Sequence, residues 1–131
     1  MSPETRQRFD RLLEQVLAAL PSPVHELLDR VPLHVEDYPS RRVLEEMGIE
    51  YRDDLCGLYS GIPLPQRSVE HTHPLPDVVT VYREGILAAA QDRRGRLTSG
   101  RIREEIRKTV LHELGHHFGL TEEDLRQLGY G

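Results

Sequence analysis

From Ser99 to Gly119 the chain reads SGRIREEIRKTVLHELGHHFG, and this stretch constrains the fold more than any other. Ile102, Ile106, Val110, Leu114 and Phe118 recur every four residues, the spacing of one face of an α-helix. At roughly 100° per residue, His112 and His116 lie ~40° apart on a different face, whose midpoint stands ~120° or more around the helix from the apolar stripe. Such a helix makes two demands on the rest of the chain. One side needs a core to bury it, and the other needs open ground in front of two imidazoles one turn apart.

The remaining sequence supplies elements of both helical and extended period. Phe9, Leu12, Leu13, Val16, Leu17 and Leu20 predict a helix over residues 3–19, stopped by the break PSP, and VHELLDRV predicts a shorter second one. PLHVEDYP alternates between prolines as a short strand. SRRVLEEMG is a helical turn that Ser40 caps and Gly48 ends. LCGLYSGIPLP reads as a strand or hairpin arm, QRSVEHTHPLP as a loop, and DVVTVYR as the clearest strand, ending near Arg83. GILAAAQDR is helical, and TEEDLRQLG forms a last short helix after the long one. Helices at both ends with a few strands between them define an α+β fold.

With 131 residues, 37% of them hydrophobic, the chain has material for one modest core, so a single domain over residues 1–131 is expected. A net charge of −5, with basic residues interspersed among acids, excludes a phosphate-binding stripe and argues against nucleic acid as a partner. The first twenty residues are amphipathic and charged, unlike a signal sequence, and nothing later approaches a membrane span. Cys56 is the only cysteine, so no disulfide forms within the chain. A cytoplasmic location, with no membrane partner, is the expectation.

The histidine face carries the chemistry. In the pattern His-Glu-x-x-His, two neutral imidazoles share a metal ion, a third protein ligand completes the set, and a fourth position stays open for water. Glu113 stands beside that face, placed to act as general base toward the water and then to pass the proton to a leaving amine. Gly119, three residues after His116, is suited to end the helix in a left-handed conformation and turn the chain back beneath the metal. The third ligand then comes from the residues after Gly119 or from an upstream loop. Glu122, Glu123 and Asp124 are the carboxylates within reach, although TEED also fits a helix start, with Thr121 as cap and Asp124 reaching back.

HELGHHFGLTEEDL resembles the extended motif His-Glu-x-x-His-x-x-Gly-x-x-Asp of the minimal zincins, small proteins related to the metzincin and Asp-zincin peptidases. The likeness extends to the N-terminal helix ending at LP, to GLYSGIPL and to LPDVVTVYR. It implies a small, mostly three-stranded sheet packed on a backing helix and an active-site helix. It also implies one zinc ion per chain and a metallopeptidase acting on peptide or protein substrates. Residue by residue, His112 and His116 match the zinc ligands, Glu113 the general base and Gly119 the turn, while the third-ligand position falls on Glu122, a glutamate where the motif has aspartate. The resemblance further places the strand before the motif helix, here DVVTVYR, at a sheet edge where an extended peptide adds by main-chain hydrogen bonds. An interior strand that only packs is the alternative.

Other residues compete for roles. His71 and His73 in EHTH share one side if extended and are possible ligands, but loop histidines beside prolines are more often solvated. His117 lies ~100° around the helix from His116, so it reads as a partly buried histidine with a hydrogen-bonding partner. Cys56 reads as a small buried residue or, less simply, a thiolate on the metal's open position, and Tyr130 as part of a frayed end. The competing function class is a zinc-binding interaction module or regulatory protein without efficient turnover, which a small chain with shallow cleft walls would suit.

Overall fold

The structure, a computed structural model, describes residues 1–61 and 77–127, with the backbone alone at positions 122 and 125. Helix α1 (Pro3–Ala19) starts where the Ser2 side chain accepts a hydrogen bond from the Thr5 amide, and it buries Phe9, Leu12, Leu13 and Val16. Helix α2 (Ser22–Arg30) leads into strand β1 (Leu33–Glu36). Helix α3 (Arg41–Met47) is capped by Ser40 and closed by Gly48 at φ +66°, as its sequence predicts. A single 3-10 turn (Arg52–Asp54) precedes strand β2 (Gly57–Ser60). Strand β3 (Val78–Tyr82) runs directly into helix α4 (Arg83–Ala90), and helices α5 (Ser99–His117) and α6 (Glu122–Gln127) complete the described chain. The fold is α+β, with a small three-stranded sheet. No helix among the described residues is long and apolar enough to cross a membrane.

The sheet order is β1-β3-β2, with β1 parallel to β3 and β2 antiparallel to it. Leu33 stands opposite Val79, and Gly57 opposite Val81. This overturns the expectation that DVVTVYR lies at a sheet edge. Strand β3 is central, its amides and carbonyls engaged on both sides, with Val79 and Val81 fully buried. The chain crosses from β1 through α3 and lays β2 on the far side of the later strand, so spatial order departs from sequence order. Among the described residues, no further strand pairs with β2.

Helix α5 packs across β2 and β3, and α1 and α4 pack along α5. One core results, joining Phe9 and Leu12 of α1, Val79 and Val81 of β3, Ile86 of α4, and Ile102, Ile106, Val110 and Leu114 of α5. Gly85 sits within the first turn of α4 because a Cβ there would lie 2.0 Å from the Leu55 carbonyl oxygen. The helix begins two residues earlier than GILAAAQDR suggests and ends at Ala90, before its last three residues. A charged clamp closes the opposite end of this layer. The Arg83 guanidinium donates to Asp10 at 3.0 and 3.1 Å and to Asp37 at 2.9 Å, while Arg6 donates to the same Asp37 at 2.6 Å. These bonds tie α1, the segment after β1 and the start of α4 together.

Candidate metal centre and active site

Helix α5 is set by its ends as well as by its apolar stripe. The Thr98 side chain accepts a hydrogen bond from the Arg101 amide, supplying the N-terminal cap. At the other end Gly119, at φ +73°, directs its amide to the His116 carbonyl at 2.9 Å, and the Leu120 amide reaches the Gly115 carbonyl at 3.1 Å. This paired closure is the Schellman motif, which satisfies two carbonyls of the last turn and reverses the chain. The helix ends at His117, two residues short of Gly119, because these bonds belong to the closure.

With Ile102, Ile106, Val110 and Leu114 buried, His112 and His116 remain half-buried on the other side. Their rings lie edge to face at 4.6 Å between centroids. Potential ligand atoms of His112, Glu113 and His116 all fall within 4.8 Å of one another. Glu113 is 8% exposed, and its Oε2 lies 3.1 Å from Nδ1 of His116. A proton on Nδ1 donated to this carboxylate leaves Nε2 of His116 with the lone pair that a metal requires. Two imidazoles one helical turn apart, with a carboxylate beside them and no thiolate in the group, suit zinc in an open site rather than a closed, sulfur-rich structural one.

Strand β2 faces this cluster closely. A Cβ on Gly57 would stand 2.6 Å from Thr109 Cγ2 and 3.2 Å from Glu113 Cγ, so the absence of a side chain there lets the strand approach the helix. Beside the contact a cavity of about 280 Å³ opens, lined by Leu55, Cys56, Gly57, Thr109, His112 and Glu113 among others. A second hollow of about 230 Å³, lined by Leu27, Leu111, Leu114 and Phe118 among others, lies on the core-facing side of α5 and includes none of the three clustered residues. Cys56 packs against the core, and its thiol is pushed up to about 11, first by burial and then by the charges of Glu105 and Glu113. In the metal-free chain it is therefore a thiol at neutral pH, which favours its reading as a small packed residue.

His117 stays apart from the cluster, as its angular position predicts. It is 7% exposed, with Nδ1 3.3 Å from the Tyr59 hydroxyl and 3.7 Å from Asp77 Oδ2. Asp124 accepts from the Thr121 amide at 2.9 Å, and the Thr121 hydroxyl accepts from the Asp124 amide at 3.2 Å, a reciprocal capping box. These two bonds hold the Asp124 carboxyl below its ordinary pKa. Glu123 pairs with Arg126. Glu122 opens α6, but its side chain, like His71, His73 and Tyr130, lies outside the described residues.

Sequence reasoning missed Gly57, Tyr59 and Asp77. Gly57 and Tyr59 share one face of β2 by period two, which was a usable signal once β2 was known to lie against α5. The approach of Tyr59 to Asp77, across residues 59 to 77, had no signal in the chain.

A short mixed sheet, a long helix carrying His-Glu-x-x-His across it, and a glycine-driven turn after the second histidine define a zincin-like arrangement. The model of the zincin-like metallopeptidase family matches residues 28–131, and the chain belongs to that family. No curated protein matches the sequence.

Proposed function

We propose that this protein is a zinc-dependent peptidase in which His112, His116 and Glu122 hold one zinc ion and Glu113 is the general base. The observation that carries the reading is the grouping of His112, Glu113 and His116 within 4.8 Å, facing β2. Zinc, when bound, would lower the pKa of a water to about 7 and polarise a substrate carbonyl. Glu113 would accept a proton from the attacking water as the new C–O bond forms and then give it to the amine nitrogen as the peptide C–N bond breaks. Its burial beside Gly57 and Thr109 holds it near the site and limits its contact with bulk water.

The substrate is a peptide in extended conformation. Among the described residues no strand pairs with the outer side of β2, so we assign to β2 the antiparallel peptide addition that the family resemblance implied for β3. The cavity beside His112 and Glu113 would receive a substrate side chain next to the bond cut. A metal-binding interaction module is the competing reading, and Glu113 argues against it, because metal retention alone needs no buried base.

Glu113→Gln distinguishes the two. It preserves size and removes the basic carboxylate, so zinc content should be retained while cleavage of a mixed peptide library falls by a factor of order 10² or more. Unchanged cleavage would refute the mechanism, and a zinc-loaded wild type that cleaves no peptide would favour the interaction module.

A further inference from the structure

We propose that Tyr59, Asp77 and His117 form a positioning cluster that fixes β2 against the end of the motif helix, and so sets where a peptide paired to β2 meets His112 and His116. The inference rests on the peptidase reading for its consequence, and on the cluster's geometry for its substance. The Tyr59 hydroxyl donates to Asp77 Oδ1 at 2.6 Å and lies 3.3 Å from Nδ1 of His117. A phenol has one proton to give. Since the close carboxylate takes it, Nδ1 of His117 must carry its own proton and donate, so the bonds run from His117 to Tyr59 to Asp77. Asp77 Oδ2 stands 3.7 Å from the same nitrogen, and the Tyr59 and His117 rings meet edge to face at 5.7 Å. The side chains of His117 and Asp77 are 8% and 13% exposed, which leaves this charge-assisted network little competition from water.

Three segments end at this point. Tyr59 is the penultimate residue of β2, Asp77 immediately precedes β3, and His117 is the last residue of α5, adjacent to His116. The last ladder pair between the strands is Ser60 with Val78, so the Tyr59–Asp77 bond ties the strands together where main-chain pairing stops. Gly57 and Tyr59 lie on the same face of β2. The glycine permits close approach to α5 near Glu113, and the tyrosine holds the strand's other end at a defined height through His117. Among the described residues the metal-ligand group comprises His112, Glu113 and His116 and none of Tyr59, Asp77 and His117, so we assign the latter as positioning residues.

Tyr59→Phe tests this in the full-length, zinc-loaded protein, because it keeps the ring contact with His117 and deletes the hydroxyl. KM for peptides long enough to pair with β2 should rise at least fivefold, kcat should change less than twofold, and zinc affinity by chelator competition should stay within twofold of wild type. Amide exchange at residues 57–60 should accelerate relative to that at residues 105–114. Asp77→Asn, which retains an acceptor for Tyr59, should preserve the wild-type KM, whereas Asp77→Ala should not. Equal changes in KM for both Asp77 variants, or a wild-type KM in Tyr59→Phe, would overturn the proposal. Should wild type cleave no peptide, the peptidase reading fails on its own, and the cluster is judged by exchange: unchanged rates at residues 57–60 in Tyr59→Phe refute it, and faster rates there support it.

Discussion

Gly57 and Glu113 meet across the gap between β2 and α5 so closely that a Cβ on the glycine would lie 3.2 Å from Glu113 Cγ. The neighbouring Thr109 leaves even less room, at 2.6 Å, and its hydroxyl is held by the Glu105 carbonyl at 2.8 Å. Gly57→Ala must therefore push the strand and helix apart. Overpacking of this kind destabilises by about 1–3 kcal/mol, and a displacement approaching 1 Å at a reacting centre costs on the order of 10²-fold in rate. The expected outcome is a lowered melting temperature and a strongly reduced kcat/KM with zinc content retained. Wild-type turnover in this variant would show that the spacing of β2 from Glu113 is immaterial.

His112→Ala and His116→Ala should each abolish stoichiometric zinc retention after dialysis at neutral pH, because each removes one of two imidazoles offered to a single ion. His117→Ala should keep the metal, since His117 faces Tyr59 and Asp77 instead. Metal analysis of the three purified variants side by side decides the matter. Equal loss in all three would remove the distinction drawn between the adjacent histidines.

For the third ligand, the capping box narrows the choice. Asp124 is committed to the Thr121 amide and Glu123 to Arg126, while Glu122, whose side chain lies outside the described residues, is the position that the motif register picks out. Glu122→Ala should weaken zinc affinity at least tenfold in a chelator competition and leave the melting curve of the zinc-free protein unchanged. Asp124→Ala should do the reverse, sparing the metal and loosening α6. The opposite pattern would show that the Glu122 register taken from the family motif does not hold in this chain.

The clamp around Arg83 gives a pH dependence of defined sign. The Asp37 carboxyl is held below its ordinary pKa, most strongly by its hydrogen bonds with Arg6 and then with Arg83, against an opposing effect of burial. A carboxylate whose folded pKa is depressed stabilises the fold above its unfolded value of about 3.9, and the contribution is lost as pH falls through the lower folded value. Asp37→Asn should therefore melt at a lower temperature than wild type at pH 7, and the difference should shrink below about pH 4. Arg83→Met should cost about 2 kcal/mol, less than a fully buried pair would, because Asp10 is half exposed. A gap between wild type and Asp37→Asn that is the same at pH 7 and pH 3 would contradict this account.

What the sequence disclosed follows the range of the interactions involved. The Ser40 cap, the Gly48 and Gly119 turns and the box of Thr121 with Asp124 are settled within a few residues, and all were readable in the chain. The two-sided character of α5 was equally plain, because Ile102 to Leu114 and His112 to His116 obey one local period. Strand order was not readable, because nothing local reveals that β2 pairs with the outer side of a strand beginning at Val78. Tyr59 and Asp77 gain their significance only once that pairing exists. The site was thus legible along the helix and illegible across the sheet.

Helix α1 has a consequence for how the family region stands by itself. The matched region begins at residue 28, yet Phe9, Leu12, Leu13 and Val16 lie upstream of it and share the core with the stripe of α5. Without that helix, Ile102 and Ile106 would lose part of their covering and present an apolar strip to solvent, the kind of surface that draws proteins into oligomers or aggregates. Residues 3–19 act as a tethered subunit. They cover the stripe intramolecularly, at fixed stoichiometry, on a side of α5 away from His112 and His116.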